Sequence, residues 1–118
     1  CEYALVMYRD KLPKFNNNGK MVFNWLNWER DNSRTYPKIH PTQKPVGLLK
    51  RLITVFTDEG DVVIDPVAGS GTTLRACAEL GRNSYGFEVS KDFCKLAREK
   101  MLANIVTQTG LNFSEVVN

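Results

Sequence analysis

Val62-Val63-Ile64-Asp65-Pro66-Val67-Ala68-Gly69-Ser70-Gly71-Thr72-Thr73 is the stretch whose reading decides the fold. Three β-branched residues make a short strand, and Asp65-Pro66 ends it. Gly69 and Gly71 then form a turn in which the backbone can approach a ligand where a Cβ would clash. Helical spacing follows from about Thr72 to Leu80, with Leu74, Cys77 and Ala78 on one face and Gly81 as the C-terminal stop. Tyr85, Phe87 and Val89 alternate as in a second strand. Ser90 suits the N-cap of a third helix whose inner face is Phe93, Ala97 and Met101. Strand, glycine turn, helix, strand, helix is a βαβα unit, and its crossover helix requires a parallel sheet.

The glycine turn leaves the carboxyl end of a strand and enters a helix N-terminus. Free N–H groups and partial positive charge there suit a phosphate or a carboxylate. A P-loop would need Lys directly before the Ser/Thr, but Gly71 precedes Thr72. A dinucleotide fingerprint would need a third glycine at the position of Leu74. A nucleoside with a small anionic tail is the ligand class that remains. Glu88 ends the second strand about twenty residues on, where a carboxylate accepts hydrogen bonds from ribose hydroxyls. The competing readings are an ordinary tight turn and a solvated strand-end carboxylate.

Working outward, Leu49, Leu52, Ile53 and Phe56 follow the spacing of an amphipathic helix, with Pro45 in its first turn. Asp58-Glu59-Gly60-Asp61 ends it. Pro37, Pro41 and Pro45 make the stretch from Arg30 to Lys44 a loop. Asn18-Gly19 marks a turn, and Met21 to Trp28 is aromatic without a clean period. The continuous apolar run from Tyr3 to Tyr8 reads as a buried strand. From Ile105 to Asn118 the pattern fades into a loop with an edge strand, or frayed chain.

A chain of 118 residues is expected to form a single domain. No apolar run approaches the roughly 20 residues of a membrane helix, so no membrane partner is expected. The start shows no secretory leader, and its lack of Met reads as a cut point. Cys1, Cys77 and Cys94 match neither a zinc site nor a disulfide framework. Cys77 and Cys94 read as buried reduced thiols, which points to the cytoplasm. Charge is uneven: residues 1–45 carry eight Lys/Arg against four acids, and the remainder eight against nine. A basic first part faces a polyanion more readily than the second part does.

The residues from Asp65 to Thr73 resemble the first cofactor motif of DNA amino-methyltransferases, with Val67 where that family usually has Phe. His40-Pro41-Thr42-Gln43-Lys44-Pro45 resembles the segment that precedes it, and Gly81-Arg82-Asn83 with Tyr85-Gly86-Phe87-Glu88 resembles the second motif. The order resembles the permuted class, whose cofactor half follows the catalytic half. The resemblance implies an α/β, partial Rossmann-like S-adenosylmethionine-dependent methyltransferase fold with a mostly parallel sheet. Residues 1–39 would be the end of the catalytic half with a basic, aromatic loop region; residues 40–118 would bind the cofactor.

S-adenosylmethionine would be held by Asp65, Pro66, Ala68, Gly69, Ser70, Gly71 and Thr72 around its methionine part. Thr42 would bond its carboxylate or amino group, Lys44 would add charge, and Glu88 would take the ribose. His40 reads as a structural hydrogen bond in the Pro-rich turn. Double-stranded DNA with a flipped base would be the substrate, and Arg30, Arg34 and Lys38, among Phe23, Trp25, Trp28 and Tyr36, are candidate contacts. The alternative is a loop that packs its aromatics on the sheet.

The family transfers methyl with an Asp/Asn/Ser-Pro-Pro-aromatic segment, and these residues contain no Pro-Pro pair. No catalytic residue is therefore assigned, and the isolated chain is expected to be inactive. Tyr3 to Tyr8 would be the last strand of the missing half. The other readings are a non-catalytic DNA-binding or interaction module with a relic pocket, and one chain of a split enzyme. About three or four strands of a larger sheet are expected, with an exposed edge that invites a homodimer.

Overall fold

The structure is a computed structural model that describes residues 2–103 and Ile105. Its elements are α1 (Val46–Phe56), β1 (Val62–Asp65), α2 (Thr72–Glu79), β2 (Asn83–Gly86) and α3 (Lys91–Leu96), which runs on into a π-helical turn, Ala97–Met101. β1 and β2 pair in parallel, with Val62 opposite Asn83 and Asp65 opposite Gly86. α2 is the crossover between them, as a parallel pair requires. Backbone bonding continues past the strand ends: Phe87 N donates to Asp65 O at 2.9 Å, and Ala68 N to Phe87 O at 2.8 Å.

α2 packs on one face of this sheet, and α1 packs on α2. Val46, Ile53, Ala76 and Cys77 are buried together, with Leu49, Val63, Leu80 and Tyr36 against them. A second cluster, Leu74, Met101 and Leu102, lies under Tyr36, Ile39 and Ala68. Helix and strand come very close here: a Cβ on Gly86 would stand 2.7 Å from Leu74 Cδ1 and 3.0 Å from Ala68 Cβ. Among the described residues the opposite face is uncovered, with Val62, Ile64, Tyr85 and Phe87 exposed.

α2 stops as its sequence requires. Gly81 has φ +70, its N–H bonds Ala78 O, and Arg82 N–H bonds Cys77 O at 2.8 Å. These two bonds form a Schellman closure. α1 is held from outside itself. Pro45 is its N-cap rather than part of its first turn, and it brings no capping side chain. The Asp31 carboxylate accepts from Val46 N at 2.9 and 3.1 Å instead. At the other end Asn16 N donates to Val55 O at 2.7 Å, and Asn16 Nδ2 to Thr57 O at 2.8 Å.

Residues 2–45 join no helix or strand, so side chains fix their course. The Glu79 carboxylate accepts from Tyr36 Oη at 3.0 Å, Lys50 Nζ at 2.9 Å and Arg75 Nε at 2.6 Å. Arg75 lies over the Tyr36 ring, 5.2 Å from its centroid, and also donates to Met101 O at 2.9 Å. That last bond serves a carbonyl at the end of the π-helical turn, where regular helical partners run out.

Several sequence-based expectations need correction. Tyr3 to Tyr8 is not a strand and is not buried: Tyr3 is 90% and Met7 84% exposed. An apolar run expresses a demand for burial, and nothing among the described residues meets it. Among those residues the sheet has two strands, not three or four. Glu88 lies two residues beyond the end of β2, not at it. Cys94 is half-buried, not buried. Cys1 and the proposed edge strand after Ile105 lie outside the described residues.

Asp31→Ala is expected to lower stability by about 1 kcal/mol through loss of the cap, read from urea unfolding. Glu79 generates a pH dependence. Burial pushes its carboxyl up, but the bonds from Arg75, Lys50 and Tyr36 outweigh this and hold it below the usual range. Its contribution is complete above the unfolded-state pKa and is lost as pH falls through the lower folded-state value. Urea midpoints followed into acid should therefore fall less steeply for Glu79→Gln than for the native chain.

Candidate cofactor site

The loop from Pro66 to Gly71 leaves β1 and enters α2 in a conformation that needs glycine twice. Gly69 has φ +52 and Gly71 has φ +78. Gly71 carries a second constraint, because a Cβ there would stand 3.3 Å from Ala97 Cβ on the π-helical turn. Gly71 is the N-cap of α2 and brings no capping side chain. The helix therefore opens with its N–H groups and positive dipole end uncovered by a cap.

Glu88 ties this loop to the next helix. Its Oε2 accepts from Gly69 N at 2.8 Å and its Oε1 from Ser90 N at 2.8 Å. Each carboxylate oxygen retains further acceptor capacity, so a hydroxyl-bearing ligand can still bond there. Ser90 Oγ in turn accepts from Phe93 N, capping α3. At the end of β1, Asp65 Oδ1 accepts from Val67 N at 3.1 Å. Ala68 packs on the Leu74–Met101–Leu102 cluster, while Pro66 stands exposed.

Ser70 and Thr72 offer a ligand backbone rather than side chains. Their hydroxyls bond each other at 2.6 Å, and the residues are 5% and 4% exposed. Both side chains serve the loop's interior, and only their backbone is left for a ligand.

The turn His40–Gln43 stands beside the same cluster. Ile39 packs on it, and Gln43 fixes the turn by accepting from Ile39 N at 3.0 Å and donating to Pro37 O at 3.1 Å. The His40 ring lies 4.5 Å from the Phe93 ring of α3. His40 Nδ1 meets Thr42 N at 3.2 Å and Thr42 Oγ1 at 3.0 Å. Thr42 itself is exposed. Lys44 is not drawn into this group: it pairs with Glu2 at 2.6 Å on the surface, a contact of little energy in water.

Arg30, Arg34 and Lys38 are exposed along the loop that leads to the turn. Phe23, Trp25 and Trp28 are also exposed, so they do not pack on the sheet. Tyr36 does pack inward and belongs with the fold. Arg51 of α1, on which no sequence motif falls, shares a shallow cleft with Trp28 and Glu29. Only its place on the outer face of α1 marks it. Burial pushes the Cys77 thiol up to about 11, so it stays protonated and inert. Among the described residues no His, Cys, Asp and Glu side chains cluster to hold a metal, and no helix is long and apolar enough to cross a membrane.

A parallel pair with a helical crossover, a glycine turn after its first strand and a carboxylate after its second define an α/β unit of the Rossmann-like methyltransferase class. Comparison narrows the class: the pattern of the DNA methylase family matches residues 6–99, and the chain belongs to that family. It is 38% identical over 97 residues to the type II methyltransferase M2.DpnII of Streptococcus pneumoniae, covering 81% of this chain and 36% of the relative. The fold is similar to that of M1.HpyAVI in complex with SAM (TM-score 0.66, 31% identity, 79% of this chain and 46% of that one). It is also similar to a putative DNA modification methylase of Thermus thermophilus, TTHA0409, complexed with S-adenosyl-L-methionine (TM-score 0.54, 41% identity, 60% and 29%). The chain spans between 20% and 41% of the length of the curated relatives it matches.

Gly71→Ala is expected to destabilise by at least about 1 kcal/mol, from its positive φ and from the approach of Ala97. Gly69→Ala, whose Cβ would meet only Val67 O at 3.9 Å, should cost less. Urea unfolding of the two variants side by side checks the order.

Proposed function

We propose that these residues form the S-adenosylmethionine-binding part of a DNA methyltransferase that modifies an exocyclic amino group of adenine or cytosine. The observation that carries this reading is convergence. The glycine turn, Glu88 and the His40–Gln43 turn meet around one apolar cluster, Leu74, Met101 and Leu102. The donor set also suits the ligand. Uncapped N–H groups at α2 match a small carboxylate, Glu88 matches ribose hydroxyls, and no pyrophosphate-type third glycine is present. Asp65, Pro66, Ala68, Gly69, Gly71 and Thr42 would line the methionine part, with Ser70 and Thr72 contributing backbone alone. Lys44 would have to leave Glu2 to join them.

When bound, the cofactor supplies an activated methyl group on sulfur. The chain's own residues bind and orient it. They provide no group to hold the target amino nitrogen, because the Pro-Pro-aromatic segment is absent from these residues. That segment would come from polypeptide outside them, and the sheet face exposed at Val62, Ile64 and Tyr85 is a surface such a portion would cover. A second copy of the chain is the other candidate for that face. Arg30, Arg34 and Lys38 would meet the phosphates of double-stranded DNA whose target base is flipped. A cytoplasmic setting, in restriction-modification, fits the type II methyltransferases among the relatives.

A second reading has one observation in its favour: the exposed basic and aromatic loop stands without a catalytic segment. It makes the chain a DNA-binding or interaction module with a relic pocket. Thermal unfolding with and without S-adenosylmethionine separates the two. Ligand at about 100 times its dissociation constant should add roughly 2.7 kcal/mol to the native chain and much less to Glu88→Ala. No shift in a folded chain, together with strongly salt-dependent DNA binding, would favour the relic module.

A further inference from the structure

Thr42 is bonded by a nearby side chain in a way that favours one end of an amino acid over the other. His40 Nδ1 lies 3.2 Å from Thr42 N and 3.0 Å from Thr42 Oγ1. A backbone N–H only donates, so Nδ1 is an acceptor and the ring proton sits on Nε2. The Thr42 hydroxyl, 3.0 Å from that acceptor, is placed to donate to it, sharing the single in-plane lone pair of Nδ1 with Thr42 N. With its one proton turned to His40, the exposed Thr42 oxygen presents lone pairs to a ligand. The ring that imposes this is not free to turn away, because it packs against Phe93 with centroids 4.5 Å apart. Gln43 holds the turn from the other side through Ile39 N and Pro37 O.

We infer that His40 is a positioning residue: it orients the Thr42 hydroxyl as an acceptor for the α-ammonium of the cofactor's amino-acid tail, not as a donor to its carboxylate. The inference rests on reading this turn as part of the cofactor site. An ammonium has donors only and a carboxylate acceptors only, so a lone-pair-bearing oxygen complements the first and repels the second. The carboxylate is then left to the N–H groups that open α2, where the dipole favours negative charge. The two ends of the tail are sorted by two different elements, one a side chain set by its neighbour and the other bare backbone.

Calorimetry on the 118-residue chain with S-adenosylhomocysteine, its analogue lacking the α-amino group and its analogue lacking the carboxylate reads the assignment directly. His40→Phe keeps a ring against Phe93 but has no acceptor. It should weaken the two amino-bearing ligands roughly tenfold, the scale of a hydrogen bond to a charged group, and leave the deaminated one nearly unchanged. His40→Asn, whose side-chain oxygen can again accept, should recover much of that loss. Thr42→Val should reproduce the His40→Phe pattern and serves if that variant does not fold. Equal loss for all three ligands, loss confined to the carboxylate-bearing pair, or no loss would each overturn the inference while leaving the cofactor site intact. A folded native chain that binds none of the three would overturn the site and the inference together.

Discussion

The Glu79 carboxylate draws together three segments that share no strand and no helix: Tyr36 from the loop, Lys50 from α1 and Arg75 from α2. Residues 2–45 have no ladder or helical bonding of their own, so their backbone course depends on such anchors. Tyr36 is the one on which the site rests. Its ring lies between the two apolar clusters and under the Arg75 guanidinium. The turn at His40 begins only four residues later. That attachment, with Ile39 on the Leu74–Met101–Leu102 cluster and His40 on Phe93, fixes the turn that carries Thr42 relative to the glycine loop. Asp31 and Asn16 act in the same way at the two ends of α1. A long irregular segment is thus held by polar bonds to helix ends, where unpaired backbone groups are available to receive them.

What the sequence made legible was what local rules govern. The glycine turn, the two helices around β1, the N-cap at Ser90 and the stop at Gly81 all follow from spacing and turn chemistry within a few residues. The nature of the fold followed from their order. What stayed hidden was set by distant partners. Asp31 caps a helix whose first residue lies fifteen positions on, and no local pattern announces that. The run from Tyr3 to Tyr8 looks like a core strand because its composition states a need for burial, yet composition does not name the surface that answers it. The change of α3 to a π-helical turn at Ala97 is likewise announced by no signal in its own residues.

The site was legible in its backbone and less so in its side chains. Glycines at positive φ and a carboxylate after the second strand lie together as spacing indicated. Ser70 and Thr72 lie in the glycine loop, but their hydroxyls turn inward to each other. Sequence spacing reports where a residue falls and not which way its side chain faces when two polar groups are close enough to satisfy one another. His40 makes the local hydrogen bond that the Pro-rich turn calls for; its packing on Phe93 links the turn to α3, a relation that fifty-odd intervening residues conceal.

Gly86 has a consequence for how this chain can change over generations. Its missing side chain is what allows β2 to lie against Leu74 and Ala68. Any side chain at 86 would push on Leu74, and Leu74 shares its cluster with Met101 and Leu102 beneath the ligand loop. Substitutions at positions 74, 86 and 102 are therefore not independent trials: a change accepted at one alters which residues are tolerated at the others. Sequence drift should be slow and correlated along this line.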